Sequence, residues 1–199
     1  MSAIKTEEKK IELIEKSAVL FAQKGYQAVT VSEIVEFLGI SKGGLYWYFK
    51  SKEELYISIC DYFCQKNQVM IQKQFQAIPQ NKEECIEVLV QLYRTIINDE
   101  LMIGLMVDLH AELQNSDRVK ETLKSNHTNW VKTVQLVFNQ LVGLGIFEKY
   151  ESSMKYENAC VIFYEGLIMK YSIFRDEEDT VRDLRQFVNI FFPWKKVKG

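Results

Sequence analysis

Apolar residues recur at helical spacing along nearly the whole 199-residue chain. Over residues 10–24, Ile11, Ile14, Ala18, Phe21 and Ala22 share one face, with Lys24 in the last turn and Gly25 placed as a stop. A shorter stripe follows, made of Val31, Ile34, Val35 and Leu38. Thr30 and Glu33 form a capping box at its start, and Gly39 ends it. After the turn Gly39-Ile40-Ser41, Ser41 is positioned to cap a third short helix through Tyr48. Ser51 with Glu54 then opens a fourth that runs to about Ala77. Residues 30–49 therefore read as helix, tight turn, helix.

Ile78-Pro79 breaks the fourth helix, and Asn81 with Glu84 starts the next, with Ile86, Leu89, Tyr93 and Ile96 inward. Residues 101–109, "LMIGLMVDL", are apolar almost all round, which predicts a helix buried on most sides. Ser116 can cap a long helix to Val142 with Leu123, Trp130, Val134, Val137 and Leu141 on one stripe. Ser153 to Phe174 and Thr180 to Phe192 complete the pattern, and Pro193 stops the last helix. The acidic link "RDEED" between them complements a helix N-terminus rather than binding a cation. No alternating strand pattern competes. The expected fold is all-α with about nine helices: a three-helix helix-turn-helix module over 1–52 and a larger bundle over 53–199.

Composition narrows the function. Hydrophobic residues make up 47% and charged residues 26%, with two prolines, as expected of a folded protein built from long helices. The N-terminus lacks the apolar core of a secretory signal and no apolar run is long enough to span a bilayer, so a cytoplasmic location without membrane association is expected. Cys60, Cys64, Cys85 and Cys160 fit no zinc spacing and lie within apolar helical patterns, which predicts buried free thiols. Asp108, His110 and Glu112 alternate in steps of two and so scatter around a helix, arguing against a metal site. No cofactor motif occurs, and no nucleophile or acid/base pair stands at usable spacing, so no enzymatic activity is expected. The net charge of −2 hides an N-terminal excess: residues 1–52 hold eight lysines against six glutamates.

The chemistry concentrates in "SKGGLYWYFKSKEEL", residues 41–55. A helix that reads the major groove needs neighbouring groups that grip phosphates, and backbone N–H donors at a helix start supply that grip. Gly43 and Gly44 weaken the helix by about 1 kcal/mol each, but a missing Cβ lets its start approach DNA closely. Lys42 can reach a phosphate or a guanine edge, and Lys52 would place its charge beside a phosphate. Leu45 and Phe49, at i and i+4, face the module's core. Tyr46 and Trp47 are expected toward DNA, with Tyr48 offering a hydroxyl to a phosphate. A helix-turn-helix can also be a packing element only. "SKGG" is no P-loop, because the G-x-x-x-x-G-K-[ST] order is missing.

"TVSEIVEFLGISKGGLYWYFKSKEELY", residues 30–56, resembles the signature of the tetracycline-repressor (TetR) family of bacterial transcription regulators. The capped helix, the G-I-S turn, the K-G-G-L-Y core, the Y-F-K and the K-E-E-L occur in order at the family's spacing. The resemblance covers about the first 60 residues, the remainder matching only in length and helical layout. It implies that Thr30, Ser41, Lys42, Gly43, Tyr46, Trp47, Tyr48 and Lys52 face a double-stranded DNA operator. It also implies a homodimer whose two modules read the half-sites of a near-palindrome.

In the second half, the last two long helices carry more apolar residues than one buried stripe requires. On the first, Tyr156, Cys160, Phe163, Leu167, Tyr171 and Phe174 form one row, and Val161, Tyr164, Ile168 and Ser172 a second. The expected dimer interface uses Val161, Tyr164 and Ile168 with Leu184, Phe187, Val188 and Phe191, as a four-helix arrangement that the resemblance also implies. The resemblance places a small-molecule effector site between residues 53 and 174. Candidate lining residues are Tyr93, Met102, Met106, His110, His127, Trp130 and Phe163, which combine adaptable thioether, aromatic faces and polar tips. Gly104 is expected as a soft point through which a ligand shifts its helix and releases the DNA modules. The leading expectation is a repressor released from DNA by a small, largely apolar ligand. The alternatives are a regulator answering to a protein partner, and a helical small-molecule carrier or enzyme.

Overall fold

The computed structural model of the chain describes residues 3–76, 79–149 and 155–195. Among these, nine α-helices follow one another: α1 (Ala3–Lys24), α2 (Val31–Leu38), α3 (Lys42–Tyr48), α4 (Lys52–Gln76), α5 (Lys82–Ile97), α6 (Glu100–Ala111), α7 (Asp117–Gly143), α8 (Lys155–Phe174) and α9 (Glu177–Phe191). A single 3-10 turn, Glu112–Gln114, joins α6 to α7. The expected start of α8 at Ser153 lies outside the described residues, as does the expected end of α4 at Ala77. No described helix is long and apolar enough to cross a membrane. Capping accounts for most boundaries. Asn81 accepts the Glu84 amide at the start of α5, and Ser51 accepts the Glu54 amide at the start of α4. The acidic link "RDEED" is partly helical: Asp176 caps α9 by accepting the Asp179 amide, so the helix begins three residues before Thr180.

The chain forms two compact units, Met1–Lys66 with Asp99–Leu123, and Asn67–Asn98 with Lys124–Gly199. The 1–52 module thus shares its packing unit with the first turns of α4 and with α6. In the first unit, Leu13, Ala18 and Phe21 of α1 meet Ile34 of α2, Leu45 of α3 and Leu55 and Ile59 of α4. Met102, Leu105 and Leu109 of α6 and Val119 of α7 close this core. Gly104 is the point of contact between α6 and α1: a Cβ there would lie 2.9 Å from the Ala22 carbonyl oxygen and 3.3 Å from its Cα. Gly104 therefore permits close helix packing rather than supplying a soft point, because the backbone it faces cannot yield as a side chain would.

In the second unit, Val90, Tyr93 and Ile97 of α5 and Val131, Val137 and Leu141 of α7 are buried, and α9 lies against both α5 and α8. Val161, Leu167 and Ile168 of α8 and Val181, Leu184 and Val188 of α9 complete the core. Phe163 stacks on Phe187 at 3.8 Å, and Phe138, Phe147, Phe192 and Trp194 form an edge-to-face cluster. This corrects the reading of α8. Its two apolar rows are buried or half-buried except at the end of the first, where Phe174 is 69% exposed, and Phe163 of that row stacks on Phe187 of α9. Val161, Ile168, Leu184 and Val188, expected at a dimer interface, are core residues, while Tyr164, Phe187 and Phe191 are half-buried. The surplus apolar surface is a third stripe, Ile162, Gly166 and Ile173, with the two isoleucines 61% and 68% exposed. The four cysteines are free thiols. Burial pushes Cys85 and Cys160 up to about 12 and Cys60 higher still, which suits packing rather than reactivity.

Gly104→Ala is expected to destabilise the chain by about 1–3 kcal/mol through overpacking, read as a lowered midpoint in urea unfolding. A second prediction concerns Glu33, whose carboxyl is held at about 2 first by the Lys24 ammonium and then by the Thr30 amide and hydroxyl. A depressed carboxyl stabilises above its unfolded pKa of about 4.3 and loses that contribution as pH falls through the folded value. Glu33→Gln should therefore lower the urea midpoint at neutral pH, and the difference from the parent should vanish by about pH 2.

Candidate nucleic-acid interface

The start of α3 is built by side chains rather than by helix propensity. Ser41, extended at φ −77° and ψ 159°, accepts the Gly44 amide on Oγ at 3.0 Å. Ahead of it, Thr30 Oγ1 accepts the Glu33 amide, and the Glu33 carboxylate accepts both the Thr30 amide and its hydroxyl. This reciprocal box fixes the start of α2, and Gly39 at φ +65° ends that helix in the left-handed region and sets the turn into α3. Leu45 and Phe49, 2% and 1% exposed, anchor α3 from behind. Since the Thr30 hydroxyl is engaged with Glu33, what Thr30 offers outward is an exposed helix N-terminus.

The opposite face of α3 is open. Lys42, Gly43, Tyr46 and Trp47 lie at i, i+1, i+4 and i+5, one side of a helix, and all four are exposed, Tyr46 by 48% and Trp47 by 67%. Tyr48 is half-buried, and the Trp47 ring rests edge-on against it at 4.5 Å, so Tyr48 supports Trp47. The two glycines differ. A Cβ on Gly44 would come 3.3 Å from Ser41 Oγ, so the cap itself explains that residue. A Cβ on Gly43 would meet nothing closer than 3.9 Å, an ordinary contact, so its missing side chain answers to no internal neighbour.

Lys52 is corrected by the structure. Its ammonium turns inward, donating to the Tyr26 carbonyl at 2.7 Å and the Val29 carbonyl at 2.8 Å and lying 4.1 Å from the Tyr26 ring centroid. Desolvation there lowers its pKa, partly opposed by the nearby Glu112 and Asp108 carboxylates. Lys52 braces the turn between α1 and α2 instead of standing beside an external phosphate. Two lysines that the sequence reading passed over are better placed. Lys50 is exposed directly after α3, and Lys10 of α1 reaches within 5.8 Å of the Phe49 ring at the end of that helix. Lys10, Lys42 and Lys50 form no ion pair among the described residues. Lys50 lies within the quoted stretch and was legible as charge, whereas Lys10 is brought to the end of α3 by its place against the Phe49 ring.

The effector candidates are divided between the two compact units. Met102, Met106 and His110 belong to the first compact unit, whereas Tyr93, His127, Trp130 and Phe163 belong to the second. Met102 is a core residue, and His110 Nδ1 sits 2.7 Å from the Met106 carbonyl of its own helix. Tyr93 is fully buried against Tyr164, at 5.8 Å, and donates to the Leu167 carbonyl. His127 lies between the Asn158 side-chain oxygen at 3.3 Å and the Glu165 carboxylate at 3.5 Å. The Tyr164 hydroxyl oxygen is buried without a hydrogen-bond partner.

Residues 13–59 match the family described as bacterial regulatory proteins, tetR family. The HTH-type transcriptional regulator YerO of Bacillus subtilis is 52% identical over 56 residues, which cover 28% of this chain and 19% of that protein. The matched stretch spans about a fifth of that relative's length. TtgR, an HTH-type transcriptional regulator of Pseudomonas putida, is 20% identical over 187 residues, covering 92% of this chain and 89% of its own. The fold is shared with a transcriptional regulator from Saccharomonospora viridis solved in complex with choline, at TM-score 0.76, 15% identity and coverage of 95% and 100% of the two chains. The capped α2, the glycine turn and the open face of α3 all fall within residues 13–59, so the likeness to the tetR family of bacterial regulatory proteins is that of the N-terminal helix-turn-helix module.

Proposed function

We propose that this protein is a homodimeric repressor that binds a near-palindromic operator through α3 of each copy and is released by a small, largely apolar ligand. The observation that carries the reading is the outward face of α3. Lys42, Gly43, Tyr46 and Trp47 form one exposed surface on a helix whose other side is locked into the core. In this reading Lys42, Lys50, Lys10 and the helix start at Ser41 hold phosphates, while Tyr46 and Trp47 meet base edges and thymine methyl groups. The exposed stripe of Ile162, Gly166 and Ile173 on α8, with Ile190 of α9 at 85% exposure, supports a second copy as the partner of that face. A glycine in the middle of the stripe, with nothing within 4 Å of its absent Cβ, leaves room for close helix approach. The choline complex of the structural relative supports a small-molecule effector for this chain.

Two experiments test the reading. DNA fragments selected by the wild-type chain from a randomised duplex pool should be bound with an affinity that falls steeply with salt. Lys42→Ala should weaken all sequences alike and flatten the salt slope by about one. Tyr46→Ala and Trp47→Ala should each relax preference at particular base pairs by about 1–3 kcal/mol of discrimination. Failure to select any sequence, or unchanged binding by all three variants, would count against α3 as the reading helix. For the dimer, the double substitution Ile162→Lys and Ile173→Lys should give a monomer in sedimentation with helicity retained, and a dimer that persists would remove α8 from the interface.

A further inference from the structure

The turn between α1 and α2, residues 25–30, takes hydrogen bonds at Tyr26 and Val29 from outside the two helices it joins, and it sets where α2 and therefore α3 begin. Its donors and acceptors are satisfied from two different helices. The Tyr26 amide donates to the Asp108 carboxylate of α6, 3.0 Å from each oxygen. The carbonyls of Tyr26 and Val29 accept from Lys52 of α4. Tyr56 of α4 donates its hydroxyl to the same Asp108 carboxylate at 2.7 Å, and its ring packs on Tyr26 at 4.8 Å. Just past the end of α6, the buried Glu112 caps that helix, opens the 3-10 turn and accepts from the Gln27 side chain at 2.6 Å. Gly104 and Asp108 fall at i and i+4, so one face of α6 follows the end of α1 and then the turn, and Glu112 extends it. Gly25 completes the fit: at φ +78° it ends α1, and a Cβ there would lie 3.0 Å from Asp108 Oδ1.

We infer that Asp108 is a positioning residue for DNA reading, which acts from α6, 82 residues along the chain from the turn it holds. The inference rests on the DNA-binding function proposed above. A carboxylate is suited to the task because it takes the Tyr26 amide and the Tyr56 hydroxyl together, as an ionised acceptor with two oxygens. An asparagine of the same shape keeps one oxygen that both donors can share, but as a neutral and weaker acceptor, and it sets an NH2 group against the Tyr26 amide where the second carboxylate oxygen now lies. Asp108 touches no part of the α3 outward face, so its effect on DNA passes wholly through the turn, the α2 cap at Thr30 and the α2–α3 register.

The test uses the full-length chain and a DNA fragment selected by the wild-type protein. Asp108→Asn should lower affinity at least tenfold at a temperature well below its unfolding midpoint, while the slope of log affinity against log salt stays that of wild type. Tyr56→Phe, which deletes one donor and leaves the packing, should give a smaller loss that does not add to that of Asp108→Asn. Lys42→Ala should add in full. In the free protein, hydrogen exchange at the Tyr26 amide should quicken in Asp108→Asn. Wild-type affinity in Asp108→Asn, or a loss that merely tracks the unfolded fraction, overturns the inference while leaving the regulator reading intact. If wild-type protein selects no DNA, the regulator reading falls and this inference with it.

Discussion

The turn between α1 and α2 is the constraint on which the DNA-facing half depends. A turn of this length buries backbone groups that neither flanking helix can satisfy, and unmet groups of this kind are costly. Here a carboxylate takes the amide and an ammonium takes the carbonyls, so the Tyr26 backbone is held between Asp108 of α6 and Lys52 of α4. Charge is used because both groups are desolvated together and each is matched by hydrogen bonds, which is the condition under which partly buried ions contribute to a fold. With the turn fixed, the reciprocal box of Thr30 and Glu33 fixes α2, Gly39 fixes the step to α3, and Leu45 and Phe49 fix its rotation.

From that placement follows the division of labour within residues 41–55. Inward-facing residues are large and apolar, outward-facing ones are small, aromatic or cationic, and the boundary falls cleanly along the helix. Gly44 serves the cap while Gly43 serves the outside. Lys52, although it has the charge expected of a phosphate contact, serves the turn. Thus residues that look alike in the sequence, the two glycines and the lysines at 42 and 52, carry different roles decided by the neighbours each one meets.

Local signals made the helices legible. The capping boxes at Thr30 and Asn81 and the stop at Gly39 concern residues three or four apart, and these set α2 and α5 where the sequence placed them. Asp108 and Glu112 were legible only as poor metal ligands, because their partners in the α1–α2 turn lie more than eighty residues away and no periodicity reports them. On α8 the difficulty was different. Three sides of that helix are apolar, so the spacing of Val161, Tyr164 and Ile168 could not say which rows the bundle would claim. The structure leaves Ile162 and Ile173 outside instead. Gly104 illustrates the same limit, since close packing and flexibility both call for a residue without a side chain, and only the Ala22 backbone opposite decides between them.

The central claim, that the open side of α3 is the surface that meets DNA, is tested most directly by photo-crosslinking. A benzophenone side chain introduced at position 47 and, separately, at position 190 would be irradiated with a duplex selected by the wild-type protein. The account predicts adducts to bases within the selected site from position 47 and none from position 190, which lies on α9. Adducts from position 190, or none from position 47 while the protein still binds the duplex, would contradict it.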